Sequence, residues 1–198
     1  MKGNIYLIPV TLGSNDWSYV IPGKVLEITR QLRYFVVENT RSARRYLRLI
    51  DSKFPIDESN FVELNEHTNE KEISIFLEPA RTGTDIGLLS EAGMPGIADP
   101  GAGLIKLAHA EGIRVIPLAG PSSILMALIA SGLNGQNFTF NGYLPVKPNE
   151  RILKIRELEK MGNNGFAQIF MEAPYRNQKL LETILTTCKN ETMLSIAA

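Results

Sequence analysis

The sequence predicts an α/β protein of two lobes, each a mainly parallel sheet flanked by helices. Three observations carry this. Short apolar runs rich in β-formers alternate with stretches of helical periodicity over the first 130 or so residues, the pattern of strands joined through helices. After Gly132-Leu133-Asn134-Gly135 the texture changes, with an alternating aromatic run at Phe138–Tyr143. The 198 residues suffice for one large domain or two small ones, with a core that needs no disulfide or structural metal. The expected division is 1–118 and 119–198, with the lobes joining near residues 115–135.

Ile5-Tyr6-Leu7-Ile8 reads as the first strand, stopped by Pro9. Gly13, Ser14, Asn15 and Asp16 make Thr11–Tyr19 a loop. Pro22-Gly23 opens a helix with Val25, Leu26, Ile28 and Leu32 on one face. Tyr34–Val37 is a strand, and Thr40 is the expected N-cap of an arginine-rich helix over Arg41–Ile50. Phe61–Leu64 is a strand, and Thr68 or Asn69 caps a helix running to about Glu78. Ile86–Leu89 is a strand, followed by a glycine- and proline-rich loop and a helix over Gly101–Ala110 that Gly112 ends. Val115-Ile116 is a short strand and Ser122–Ser131 an apolar helix. In the second lobe Glu150–Met161 and Asn177–Cys188 read as helices, Ala167–Met171 and Met193–Ala197 as strands. A chain that stops at a strand predicts a lobe that continues beyond Ala198.

Lys plus Arg equals Asp plus Glu, 21 of each, so no whole-molecule field draws in nucleic acid and only a local patch can bind it. The single cysteine, Cys188, rules out an internal disulfide and points to a reducing compartment. The apolar run Ile5–Val10 is too short for a signal peptide, and no run of about 18 apolar residues occurs; cytoplasm is the expected location.

Chemistry is concentrated in strand-end loops. Ser90–Gly101 holds Gly93, Gly96, Gly101, Pro95 and Pro100, with Asp99 placed to cap the next helix. Such a loop is either a tight structural turn or a place where backbone approaches a ligand. Pro117–Ser123 also joins a strand to a helix, and N–H groups at Ser122 can hold a polar ligand group or simply start the helix. No G-x-G-x-x-G follows a strand, and Pro22-Gly23-Lys24 lacks the upstream glycine of a P-loop because position 18 is Ser. His67 and His109 have no metal-ligand partners at useful spacing, so no metal is expected. Two strand ends pair a carboxylate with an arginine three or four residues on: Glu38 with Arg41, and Glu172 with Arg176. Each pair can orient a substrate or take a proton, or can be a local ion pair.

The ordered series Ile5–Gly13, Glu38–Arg41, Leu64–His67, Leu89–Gly101, Pro117–Ser123, Phe140–Pro145 and Met171–Arg176 resembles the tetrapyrrole methylase superfamily. Within it, the series is most similar to the bacterial 16S ribosomal RNA (cytidine-2′-O)-methyltransferase branch. The resemblance implies two α/β lobes, S-adenosylmethionine held largely by backbone groups in a cleft between them, a homodimer and no metal. It assigns Pro9, Ser90, Glu91, Gly93, Met94, Ser122 and Ser123 to the cofactor, with Leu144, Ala173 and Pro174 near its adenine. Three departures stand out. The family's Glu-Asp-Thr-Arg has Asn39 for the aspartate, its Ser-Asp-Ala-Gly has the longer Glu91, and Ser14-Asn15-Asp16-Trp17 replaces a glycine motif of the branch.

The expected reaction is transfer of a sulfonium methyl to a nucleophile, governed by positioning. For a ribose hydroxyl of ribosomal RNA, Glu38 or Glu172 is the base and Arg41 or Arg176 holds a phosphate. A tetrapyrrole or other small-molecule acceptor, and a non-catalytic paralogue that keeps the fold, are the alternatives.

Overall fold

A computed structural model describes residues 1–65 and 68–198. The chain divides into two units, Met1–Ser122 and Ser123–Ala198. The first is built on five strands: β1 (Asn4–Leu7), β2 (Tyr34–Val37), β3 (Asn60–Glu63), β4 (Ile86–Leu89) and β5 (Arg114–Pro117). They form one parallel sheet in the order β3-β2-β4-β1-β5.

Strand alternation sends side chains to two separate cores. Ile8, Phe35, Val37 and Leu89 pack on one face with Val25 and Leu26 of α1 (Gly23–Gln31) and Tyr46, Leu47 and Ile50 of α2 (Thr40–Ile50). Ile5, Leu7, Val36, Ile86 and Leu88 pack on the other with α3 (Glu70–Phe76), α4 (Glu78–Arg81) and α5 (Gly101–Ala110), through Leu77, Ala80, Leu104 and Ala108. The layering follows from topology. The connections β1–β2 and β2–β3 run toward the β3 edge and use α1 and α2. Those from β3 to β4 and β4 to β5 run the other way and use α3, α4 and α5. Crossovers of one hand running in opposite directions must take opposite faces. At the adjacent carboxyl ends of β1 and β4 the chain therefore departs to opposite faces, which opens a crevice there.

Several helix ends differ from expectation. Asn39, one residue before Thr40, caps α2: its Oδ1 accepts from Ser42 N–H at 3.0 Å. Asn39 outcompetes Thr40 because a short side-chain carbonyl in extended backbone reaches the third amide of the helix. The helix expected to reach Glu78 ends at Phe76, and a second short one carries Pro79 at its start; Pro79 has no amide hydrogen to continue the first. Asn69 caps α3 in a reciprocal capping box with Glu72. Gly112 N–H and Ile113 N–H bond back to His109 and Ala108 carbonyls, a Schellman end that buries Ile113.

The second unit contains α6 (Ser123–Ser131), β6 (Phe138–Tyr143), α7 (Pro148–Asn163), β7 (Ala167–Met171) and α8 (Asn177–Thr187). β6 and β7 pair in parallel, with an irregularity between Phe140 and Tyr143. Leu144, Ile155, Leu158, Leu180 and Ile184 form its core. The expected strand over Met193–Ala197 is absent: this segment has no regular structure, and Met193, Leu194 and Ile196 are exposed. An apolar run forms a strand only where a neighbouring strand supplies its ladder bonds. No helix among the described residues is long and apolar enough to cross a membrane.

Candidate functional site

The crevice at the ends of β1 and β4 is closed in by three loops of the first unit. Val10 N–H donates to Gly93 O at 2.9 Å, and the two residues form an antiparallel bridge. Gly93 adopts φ +68°, and a Cβ there would lie 3.2 Å from Leu12 Cδ2 and 3.4 Å from Pro121 O. Gly120 packs still closer: a Cβ would meet Pro9 at 2.1 Å and lie 3.5 Å from Met94 Sδ. Only a residue without a side chain lets the β5 loop lie this near Pro9. Pro9 is held from behind, its carbonyl accepting from Tyr46 Oη at 2.8 Å. Pro9, Gly93, Met94 and Gly120 are thus brought together; Ala92 and Ala119 are exposed beside the two glycines, and Leu12, Glu91 and Ile97 are exposed elsewhere on the same loops.

The loop after β4 is shaped by its own backbone and by Asp99. Gly93, Gly96 and Ala98 all have positive φ, with Ala98 at 58°, an uncommon state for a residue with a Cβ. Asp99 accepts from Gly96 N–H at 2.7 Å and from Gly101 N–H at 2.8 Å, so it ties the loop to the first residue of α5; it is not the expected N-cap, a position that Pro100 occupies without a side-chain cap.

Beside this loop lies an open pocket of about 720 Å³ lined by Glu38, Asn39, Asn65, Glu91 and Asp99. A small void of about 10 Å³, next to Ser90 and Asp99, also touches Glu38. Glu38 Oε2 accepts from Glu91 N–H at 3.1 Å. Ser42 Oγ lies 3.0 Å from Glu91 Oε1 and 3.3 Å from Asn39 Oδ1. Burial pushes the Glu38 carboxyl above its ordinary range; the backbone bond from Glu91 pulls it down, and the charges of Glu91 and Asp99 push it up. Arg41 is not paired with Glu38 and stands exposed on α2.

The second unit treats its carboxylate differently. Glu172 side chain is 3% exposed, and its Oε1 takes Ala173 N–H at 2.8 Å, Arg176 Nε at 2.7 Å and Arg176 Nη2 at 2.5 Å. Here the local ion pair is formed, and it fastens the turn Pro174–Arg176 to the end of β7. Glu172 Oε2 is buried with no hydrogen-bond partner among the described residues. The Arg176 guanidinium lies 5.4 Å from the Tyr175 ring centroid. Ala173 is half-buried, Pro174 exposed, and Leu144 lies in the unit's core. Ser122 ends the first unit and Ser123 opens the second.

His109 is exposed on α5, and His67 lies outside the described residues. Among the described residues no three His, Cys, Asp or Glu side chains are grouped to hold a metal. Sequence reasoning missed Ser42, Tyr46, Asn65 and Gly120. Ser42 was within reach of it, as the amide three residues after Asn39. The other contacts join residues far apart in the chain.

The model of the family described as Tetrapyrrole (Corrin/Porphyrin) Methylases matches residues 6–197. The chain belongs to the tetrapyrrole methylase family. Among its relatives, Ribosomal RNA small subunit methyltransferase I of Vibrio cholerae is 30% identical over 194 residues, 98% of this chain and 63% of that protein. The protein of the same name in Bacillus subtilis is 31% identical over 183 residues, 92% of this chain and 59% of its own length. The chain thus spans about three-fifths of the length of these relatives. Among solved structures, the methyltransferase CobJ is similar with a TM-score of 0.59 at 18% identity, over 94% of this chain and 77% of that one. Diphthine synthase is similar at 0.58 and 17%, over 93% and 73%. Both share the α/β fold.

Proposed function

We propose that this methylase is an S-adenosylmethionine-dependent methyltransferase of the ribosomal RNA branch, acting on a ribose 2′-hydroxyl of small-subunit RNA. The observation that carries the reading is the close packing of Pro9, Gly93, Met94 and Gly120 beside a pocket that holds Glu38, in a family of methylases. Its relatives named Ribosomal RNA small subunit methyltransferase I support the choice of RNA.

The cofactor fits the loops in kind. Two glycines stand where a Cβ would fill the space between loops, and the residues before them, Ala92 and Ala119, are small and exposed. Pro9, Ser90, Glu91, Gly93, Met94 and Ser122 would hold it from the first unit; Ser123, Leu144, Ala173 and Pro174 are assigned to it on resemblance. Because Leu144 is in the core, its contribution would come from its main chain. When bound, S-adenosylmethionine supplies a methyl group on a cationic sulfur. Glu38 accepts the hydroxyl proton through the oxygen that Glu91 N–H does not hold, and a carboxyl raised toward neutrality is a better base for it. Glu172 anchors Arg176 rather than moving a proton. Asn39 takes no proton; it caps α2 and leaves the pocket one carboxylate fewer than an aspartate would. Three carboxylates around the pocket also disfavour a tetrapyrrole, whose side chains are themselves carboxylates, and suit an uncharged ribose and base. The same reading expects a homodimer in the cytoplasm, where its ribosomal substrate lies.

Calorimetric titration with S-adenosylmethionine tests the cofactor half. Wild type is expected to bind and Gly120→Ala to bind at least about tenfold more weakly, about 1.4 kcal/mol. A wild-type chain with no affinity for S-adenosylmethionine or S-adenosylhomocysteine would overturn the reading.

A further inference from the structure

Helix α2 starts at the rim of the Glu38 pocket, with its cap Asn39 lining that pocket. Its buried residues are Ala43, Tyr46, Leu47 and Ile50. At 100° per residue, Arg41, Arg44, Arg45 and Arg48 fall within one narrow arc on the opposite side. All four are exposed. Arg44 is partly engaged, 3.6 Å from the exposed Asp57 and 5.6 Å from the Phe61 ring, and Arg48 donates to Ser52 O at 2.7 Å. Arg41 and Arg45 make no ion pair among the described residues.

Helix stability does not account for this stripe. Like charges three and four residues apart repel, the sequence of α2 holds no acid to offset them, and Arg41 sits in the first turn, where the helix dipole favours an anion. The surroundings do not account for it either. The first unit carries thirteen Lys and Arg against fifteen Asp and Glu, and of the four α2 arginines only Arg44 has an acidic partner among the described residues, the exposed Asp57. Carboxylates (Glu38, Glu91 and Asp99) line the pocket at the start of α2, and four guanidiniums run away from it along the helix. An RNA strand has the matching pattern: at any nucleotide an uncharged ribose and base are flanked by phosphates. A pocket ringed by carboxylates suits the first, and arginines, which bind phosphate bidentately, suit the second.

We propose that the solvent face of α2, Arg41, Arg44, Arg45 and Arg48, holds the phosphate backbone of the RNA whose target nucleotide enters the pocket beside Glu38. This rests on the RNA reading above and adds the surface that engages the strand. These contacts are to phosphate, so they set register and affinity without reading sequence.

The test is the salt dependence of binding of the full chain to an unmodified small-subunit RNA, for wild type, Arg45→Gln, the double variant Arg41→Gln/Arg45→Gln, and Lys106→Gln. Lys106 is exposed on α5, which packs on the other face of the sheet. Far-UV circular dichroism checks folding. Each arginine removed is expected to lower the slope of log K against log salt by about 0.7 to 1, and to weaken binding to an unrelated RNA as much as to the target. Lys106→Gln is expected to keep the wild-type slope. Unchanged slopes in the arginine variants, with RNA methylation retained, would overturn the α2 surface while the RNA function stands. A wild type that neither binds nor methylates RNA would overturn both.

Discussion

Glu38 is where the proposed chemistry and the pH dependence meet. Burial holds its carboxyl above the ordinary value of 4.5, with Glu91 and Asp99 adding to the effect. A carboxyl that is easier to protonate in the folded chain binds more protons there, so folding stability falls as pH rises from about 4.5 through the folded value. Glu38→Gln removes that dependence, and urea denaturation at several pH values should show the variant gaining on wild type as pH rises through this window. The same substitution removes the proposed proton acceptor. Methyl transfer should fall by about 10² to 10⁴ with little change in cofactor affinity, whereas full activity would exclude Glu38 as the base. Asn39→Asp adds a fourth carboxylate to the pocket and should move the acid limb of the rate profile to higher pH. Gly120→Ala acts by steric means: a methyl 2.1 Å from Pro9 Cβ forces the β1 and β5 loops apart, at a cost of about 1–3 kcal/mol, measurable in the denaturation midpoint.

At the scale of elements, α2 does three things from one sequence. Its apolar face fills the core with Tyr46, Leu47 and Ile50, Tyr46 reaches across to hold the carbonyl of Pro9, and Asn39 begins it at the pocket. Losing the cap with Asn39→Ala should cost about 1 kcal/mol of unfolding free energy, while Asn39→Asp should keep it. Most of this element was legible in the sequence, because the apolar period and the arginine face are local. The one-residue error, with Thr40 expected as cap, arose because two capping residues stand side by side and sequence does not say which has extended backbone. The loop over Ser90–Gly101 was legible as unusual from its glycines and prolines. Its partners were not, since the contacts of Gly93 with Val10 and of Gly120 with Pro9 depend on which strands become neighbours. The terminal run Met193–Ala197 shows the opposite failure: apolar pattern predicts a strand, but pairing decides whether one forms.

For the whole molecule, the strand order β3-β2-β4-β1-β5 places the candidate site at the carboxyl ends of two interior strands, β4 and β1. Alternating strands and helices predicted a parallel α/β protein. The order could not be read, because nothing local tells β4 to insert between β2 and β1. Once it does, the β1 and β4 loops meet, and residues scattered from Pro9 to Gly120 become neighbours. The second unit holds Glu172 and Arg176 as a fixed pair, so an Arg176→Ala variant should leave a buried, unpaired carboxylate and lose several kcal/mol of stability, while Glu172→Gln/Arg176→Met should recover part of it. The proposed chemistry as a whole is decided by one assay. The purified chain is incubated with S-adenosylmethionine labelled in its methyl group and small ribosomal subunits stripped of modification, and the RNA is then digested with alkali, which spares a linkage beside a methylated ribose hydroxyl. Proposed ribose methylation predicts label in an alkali-resistant dinucleotide of small-subunit RNA, lost in Glu38→Gln; label found only in a small-molecule fraction, or on a base, would contradict it.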